Sequence, residues 1–225
     1  MTTAAKSDLW VRLASAIILF AIAGAALWFG GIAFGLLLLV GGALVLVEWF
    51  QLVKAMTLGG AARTALHILG PILVLGAVAG LWFIRDRLGM TAALWVFGMV
   101  WATDIGAYFA GRAFGGTRLA PSISPSKTWS GLIGGMIAAL IASATIGDRA
   151  DIVGVPLWIG LFMGLLAQLG DLGESWMKRR AGVKDSGQLI PGHGGLFDRL
   201  DGFIAVFFTL FVIEQARILW LVFGA

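Results

Sequence analysis

Seven stretches of this sequence run for about 20 residues each with almost no charge, the length a helix needs to cross the roughly 30 Å of a bilayer's hydrocarbon core. They are Leu13 to Gly31, Ile32 to Val53, Leu66 to Ile84, Thr91 to Ala110, Trp129 to Gly147, Val155 to Leu172 and Gly202 to Phe223. In hydrocarbon a backbone must satisfy its own N–H and C=O groups, and over such runs the helix does so. The chain is therefore expected to be an all-α, polytopic integral membrane protein of about seven transmembrane helices. Composition agrees: mean hydropathy is +0.96, ten residues are Trp and fifteen Phe, and 12% are charged, which no ordinary soluble domain shows. The first stretch has no small-residue cleavage motif and a second follows at once, so it reads as a retained helix and not a signal peptide.

The distribution of Lys and Arg predicts the orientation. With the N-terminus inside, the inner side collects Lys6, Arg12, Lys54, Arg63, Arg112, Arg118, Lys127, Lys178, Arg179, Arg180, Lys184 and Arg199, and the outer ends hold Arg85, Arg87, Arg149 and Arg217. Twelve against four places the C-terminus outside and turns two polar segments, Gly111 to Thr128 and Lys178 to Asp201, towards the cytoplasm. No repeat or low-complexity linker divides the chain. It reads as one transmembrane domain, residues 1–225, with scaffold helices in 1–90 and a catalytic half in 91–225. Paired or spaced glycines, such as Gly134-Gly135, Gly131/Gly135 and Gly160/Gly164, suit close approach of helices.

Cysteine is absent and His67 and His193 are the only histidines, which excludes disulfides, thiolate nucleophiles, Cys-bound zinc and multi-histidine metal sites. Any metal must sit on oxygen. The net charge of +4 and pI near 10.0 come without a basic arm or soluble module to hold a duplex, so no nucleic-acid partner is expected. Basic loops facing phosphorylated ligands or anionic membrane lipid fit better.

Ionisable residues at membrane depth are costly unless paired, hydrated or metal-bound, and Glu48, Asp104, Asp171, Glu174 and Glu214 qualify. Glu214 has Arg217 one turn on, which suits a structural ion pair. Glu48 is close enough to the inner end of its helix to reach the interface, and both are left out of the site. Asp171 and Glu174, spaced i, i+3, share a helical face where the sixth run meets the cytoplasm. Asp198 and Asp201 repeat that spacing before the seventh. Two carboxylate pairs at one membrane face suit Mg²⁺, which leaves positions for water and substrate phosphates. Acids near a helix N-terminus also serve as caps, and the spacing alone leaves both roles open.

The segment around these acids interleaves them with Lys178, Arg179, Lys184 and Arg199 and with five glycines, Gly182, Gly187, Gly192, Gly194 and Gly195. Acids to hold a metal and bases to hold phosphate oxygens are what a metal-bound polyphosphate requires. Upstream, Ser122, Ser124, Ser126, Lys127 and Thr128 converge just before a new helix, where hydroxyls, a lysine and helix N-terminal amides make a phosphate site. It is not a Walker A loop, because the glycine-lysine-hydroxyl order is missing.

The stretch SWMKRRAGVKDSGQLIPGHGGLFDRLD, Ser175 to Asp201, resembles the signature of the phosphatidate cytidylyltransferases, the CDP-diacylglycerol synthases: Ser175, then Lys178-Arg179, Lys184-Asp185, Pro191-x-His193-Gly194-Gly195 and Asp198-Arg199-x-Asp201. DIGAYFAGRAFGGTRLAPSISPSKTWSG, Asp104 to Gly131, is similar to the family's second motif. The family usually carries an acid shortly after the Lys-Thr pair, where this chain has Trp129 and Ser130, and bacterial members commonly have an extra span or two before the first one seen here.

The resemblance implies that CTP and phosphatidate give CDP-diacylglycerol and pyrophosphate at the cytoplasmic face of a bacterial inner membrane. It implies Asp171, Asp198, Lys184 and Arg199 as catalytic residues, with Asp171, Glu174, Asp198 and Asp201 holding Mg²⁺ and a second divalent or monovalent cation left open. Ser124, Ser126, Lys127, Thr128, Ser175, Lys178, Arg179, Asp185 and His193 would bind substrate phosphates; for His193 a proton-carrying or a purely structural role in its turn stays open. A homodimer is compatible with this reading. A CTP-dependent lipid kinase of the polyprenol type would use similar groups but phosphorylate a lipid alcohol. A transporter would show an inverted repeat of broken helices, and a non-catalytic lipid-binding protein would not interleave acids with bases.

Overall fold

The computed structural model describes residues 3–149, 156, 158–192 and 194–223. The expected runs form seven helices: α1 (Thr3–Phe29), α2 (Gly31–Ala55), α3 (Gly60–Phe83), α4 (Met90–Phe114), α5 (Trp129–Arg149), α6 (Trp158–Ala181) and α7 (Phe197–Phe223), with a π-helical turn at Ile84–Leu88 after α3. Among the described residues, five segments are long and apolar enough to cross a membrane: Gly31–Ala55, Gly60–Leu88, Met90–Phe114, Trp129–Asp148 and Phe197–Leu221. The apolar part of α1, Ala14–Phe29, is shorter. α6 runs past the expected end at Leu172 to Ala181, and its last turns carry Lys178, Arg179 and Arg180. The expected start of that run, Val155, lies outside the described residues. α7 begins at Phe197, five residues before the expected Gly202, so Asp198 and Asp201 belong to its first turns and not to the loop before it.

Large apolar side chains point outward along the helices, Phe20 (66% exposed) and Ile32 (80%) among them, the arrangement expected where lipid and not water is the solvent. Inside, one buried cluster joins Val96, Met99 and Val100 of α4 to Ala139, Met163, Val206 and Phe207 of α5, α6 and α7. A second joins Val45, Trp49, Leu52 and Val53 of α2 to Met177 of α6 and Phe197 of α7.

Without a hydrophobic drive between helices in lipid, close packing depends on small residues, and α4 and α5 show this. A Cβ on Gly134 would sit 2.2 Å from the Ala110 Cβ, and one on Gly131 3.0 Å from the Ala107 carbonyl oxygen. At the end of the bundle remote from the acids, Arg85 donates from Nε to the Leu27 carbonyl (2.6 Å) and from Nη2 to that of Trp28 (3.0 Å), satisfying carbonyls that the end of α1 leaves open. Glu214 pairs with Arg217 at 2.9 Å, as the spacing indicates.

The segment between α4 and α5, read from sequence only as a polar cytoplasmic segment, holds a small antiparallel hairpin: β1 (Arg118–Ala120) and β2 (Ser124–Thr128), with Arg118 opposite Thr128 and Ala120 opposite Ser124. It folds back beneath α6, where the Arg179 Nε donates to the Ile123 carbonyl (3.2 Å). Lys127 is thereby carried to the acids of α6.

Candidate active site

On α6, Asp171, Glu174, Ser175 and Lys178 stand at i, i+3, i+4 and i+7 and form one stripe. The first turns of α7 pack against it at very short range. A Cβ on Gly170 would lie 2.5 Å from the Asp201 carbonyl oxygen, and one on Gly202 would lie 3.2 Å from that of Ala167. This backbone-level approach brings the Asp201 carboxylate to those of Asp171 and Glu174, and one oxygen of each lies within 4.8 Å of the others.

Two ammonium groups flank the trio. The Lys127 Nζ lies 2.5 Å from Asp171 Oδ2, and the Ser175 hydroxyl donates to Asp171 Oδ1 (3.2 Å). The Lys178 Nζ lies 2.6 Å from Glu174 Oε2 and 2.7 Å from Asp198 Oδ1, with the Glu174 side chain only 1% exposed. Burial, reinforced by the neighbouring Asp198 carboxylate, pushes the Glu174 carboxyl up to about 9. One cation facing two acids in a dry environment leaves the more buried acid holding a proton at neutral pH. Glu174 Oε1 is buried and has no hydrogen-bond partner among the described residues, and a bound cation would satisfy it.

Asp198 is brought to Lys178 but is not among the three acids that converge. Its Oδ2 accepts from the backbone N–H of Ser186 (2.9 Å) and of Gly195 (2.8 Å), and from the Ser186 hydroxyl (3.0 Å). With Oδ1 on Lys178, both oxygens are engaged by the protein itself. Thr128 accepts from the Gly131 N–H (3.0 Å) and so caps α5, while Ser130 donates to the Gly115 carbonyl. Ser124 sits on the hairpin half-buried and Ser126 exposed, the latter's carbonyl accepting from Arg118 (3.3 Å). Lys184 is exposed, Asp185 lies beside Gly194, and the Arg199 N–H donates to the Leu196 carbonyl (3.1 Å). His193 lies outside the described residues.

Two residues left unassigned from sequence belong to this neighbourhood. Asp104 of α4 lies within electrostatic reach of Asp171, Asp201 and Lys127, completing an acidic rim contributed by three helices. Glu48 of α2 does not reach the interface: it is 4% exposed and accepts from the N–H groups of Leu196 (3.0 Å) and Phe197 (2.7 Å) and from the Ser186 hydroxyl (3.0 Å). The capping role open to Asp198 and Asp201 is thus taken at the α7 terminus by an acid 149 residues away in sequence. The signal for it was its isolation, since Glu48 is the one ionisable residue between Arg12 and Lys54.

Converging carboxylate oxygens with a buried open donor make a hard-cation site, and ammonium groups on both sides can hold the oxygens of a phosphorylated ligand. That inventory suits phosphoryl or nucleotidyl transfer, in which positioning and charge do most of the catalytic work. Known proteins point the same way. Relatives named phosphatidate cytidylyltransferase include that of Brucella suis biovar 1, 47% identical over 130 residues, covering 56% of this chain and 48% of the relative. That of Haemophilus influenzae is 48% identical over 134 residues (55% and 46%), and that of Bacillus subtilis 45% identical over 125 (54% and 46%). The matches thus span about half the length of these curated relatives. A model of the cytidylyltransferase family matches residues 57–216, which hold the acid trio, the hairpin and both flanking lysines, and the chain belongs to that family.

Proposed function

We propose that this membrane protein transfers CMP from CTP to phosphatidate, giving CDP-diacylglycerol and pyrophosphate. The observation that carries the reading is the meeting of Asp171, Glu174 and Asp201 between Lys127 and Lys178, within a chain whose relatives bear the name phosphatidate cytidylyltransferase. A phosphate oxygen of phosphatidate attacks the α-phosphorus of CTP, a P–O–P bond forms, and the bond to the β-phosphate breaks with pyrophosphate leaving. The lipid phosphate is itself the nucleophile, so no covalent enzyme intermediate is required.

Asp171, Glu174 and Asp201 would hold Mg²⁺, which when bound neutralises triphosphate charge and the departing pyrophosphate. Lys127 exchanges its contact with Asp171 for a phosphate oxygen as nucleotide binds. Lys178 keeps Glu174 and Asp198 in place, and the exposed Lys184, with Arg199, offers charge-assisted contacts to phosphate. Ser175 orients Asp171. The excess of Lys and Arg on the site's side of the membrane supports an N-inside, C-outside orientation in a bacterial inner membrane, where cytoplasmic CTP meets the headgroup of the lipid; a homodimer and a further cation remain compatible.

The test is to incubate the purified full chain with labelled CTP, phosphatidate and Mg²⁺. A lipid-soluble nucleotide formed with equimolar pyrophosphate is the expected result. Release of CDP with phosphorylation of a lipid alcohol, or no lipid-soluble label at all, would overturn the proposal.

A further inference from the structure

Glu48 lies before residues 57–216, which the family model matches, and the reaction proposed above makes no use of it. We propose that Glu48 is a positioning residue for the site: from α2 it fixes Ser186, Leu196 and the first turn of α7, and through them the carboxylates of Asp198 and Asp201. This rests on reading the acid trio as the nucleotide-transfer site.

The contacts form a continuous path. Glu48 Oε1 accepts from the Leu196 N–H, and Oε2 from the Phe197 N–H and the Ser186 hydroxyl. These donors come from the first half of the loop that joins α6 to α7 and from its junction with α7. Ser186 and Gly195 in turn donate backbone N–H groups to Asp198 Oδ2, and Asp198 Oδ1 receives Lys178, which also holds Glu174 of the trio. Two buried carboxylates from different helices thus gather one loop, with the Ser186 hydroxyl 3.0 Å from each.

The loop's own sequence is shaped to this carboxylate. A Cβ on Gly187 would lie 2.5 Å from Glu48 Oε1, and one on Gly195 would lie 2.6 Å from Oε2 and 2.1 Å from the Ser186 Oγ. These two glycines leave room for Glu48. On the other side Trp49 and Val45 of α2 pack with Phe197 and Met177, so the acid is delivered by a helix already seated against α6 and α7. α2 therefore helps complete the site and does more than scaffold it.

Glu48→Gln is the informative variant, because it keeps size and one acceptor while turning an NH2 towards a backbone N–H whichever way the amide faces. In the full chain, solubilised or in nanodiscs, hydrogen exchange of a peptide covering 186–197 should quicken at least about tenfold, with α4 and α5 unchanged. The kcat/KM for CTP should fall by about tenfold or more, and adding Ser186→Ala to Glu48→Gln should cost less than a further factor of about two. Exchange at 186–197 within about twofold of wild type, or equal acceleration throughout the chain, would overturn the proposal. So would a local acceleration that left kcat/KM unchanged. Exchange needs no substrate, so a wild-type chain without nucleotide transfer would reject the proposed reaction while the exchange arm still decided whether Glu48 holds the loop.

Discussion

Replacing Lys178 by Met keeps the length of the side chain and removes its charge, and the structure sets the size of the consequence. The Lys178 side chain is 13% exposed and its ammonium serves Asp198 (side chain 6% exposed) and Glu174 (1% exposed) at 2.7 and 2.6 Å. Glu174 holds a proton at neutral pH, so the substitution strands one carboxylate charge, that of Asp198, away from water. Removing one partner of a buried ion pair costs about 3 to 5 kcal/mol, because the remaining charge is left uncompensated. For a chain of this size each kcal/mol moves Tm by about 2 to 4 °C, so Lys178→Met should lower Tm by about 6 to 20 °C in thermal unfolding of the detergent-solubilised chain. The double variant Lys178→Met/Asp198→Asn removes the stranded charge too, and should regain about half of the loss or more. A single variant within about 1 kcal/mol of wild type, or a double variant no more stable than the single, would refute the view that this lysine offsets buried charge.

Gly195→Ala should cost about 1 to 3 kcal/mol, as overpacking does, because its Cβ would lie 2.1 Å from the Ser186 Oγ and 2.7 Å from the Gly187 nitrogen; a Tm equal to that of wild type would show that the loop has slack. A cation bound at the trio must displace the proton on Glu174, whose carboxyl is pushed up to about 9. The proton is held below that pH and lost above it, so the Mg²⁺ needed for half-maximal nucleotide transfer should fall by about tenfold per unit from pH 7 towards 9, and a requirement flat over that range would place Glu174 outside the cation site. Cysteines at the exposed positions Gln188 and Asp148 should react with a membrane-impermeant reagent from opposite sides, Gln188→Cys in inside-out vesicles and Asp148→Cys in intact cells; the reverse pattern would invert the proposed orientation.

The membrane class and the seven helices were legible in the chain, because the length of an apolar run and the cost of an unpaired backbone in lipid are local quantities. So was the shared face of Asp171 and Glu174, which helical spacing dictates, and so was a close approach of helices at the glycines, although only the packing made α4 and α5 the pair that meets there. The hairpin was not legible: strands of three and five residues are too short for an alternating pattern to stand out among serines and prolines. Nor could spacing say which acids meet. Asp198 and Asp201 are equivalent by the i, i+3 rule, yet the backbone contact of Gly170 with Asp201 turns one into the trio, while the loop amides of Ser186 and Gly195 and the Lys178 ammonium hold the other aside. Glu48 depended on tertiary structure most of all. Its helix is uniform in hydropathy, and only the seating of α2 against α6 and α7 brings its carboxylate to amides 148 and 149 residues further along the chain. A helix fixes which of its residues share a face, and the packing of helices decides what that face meets.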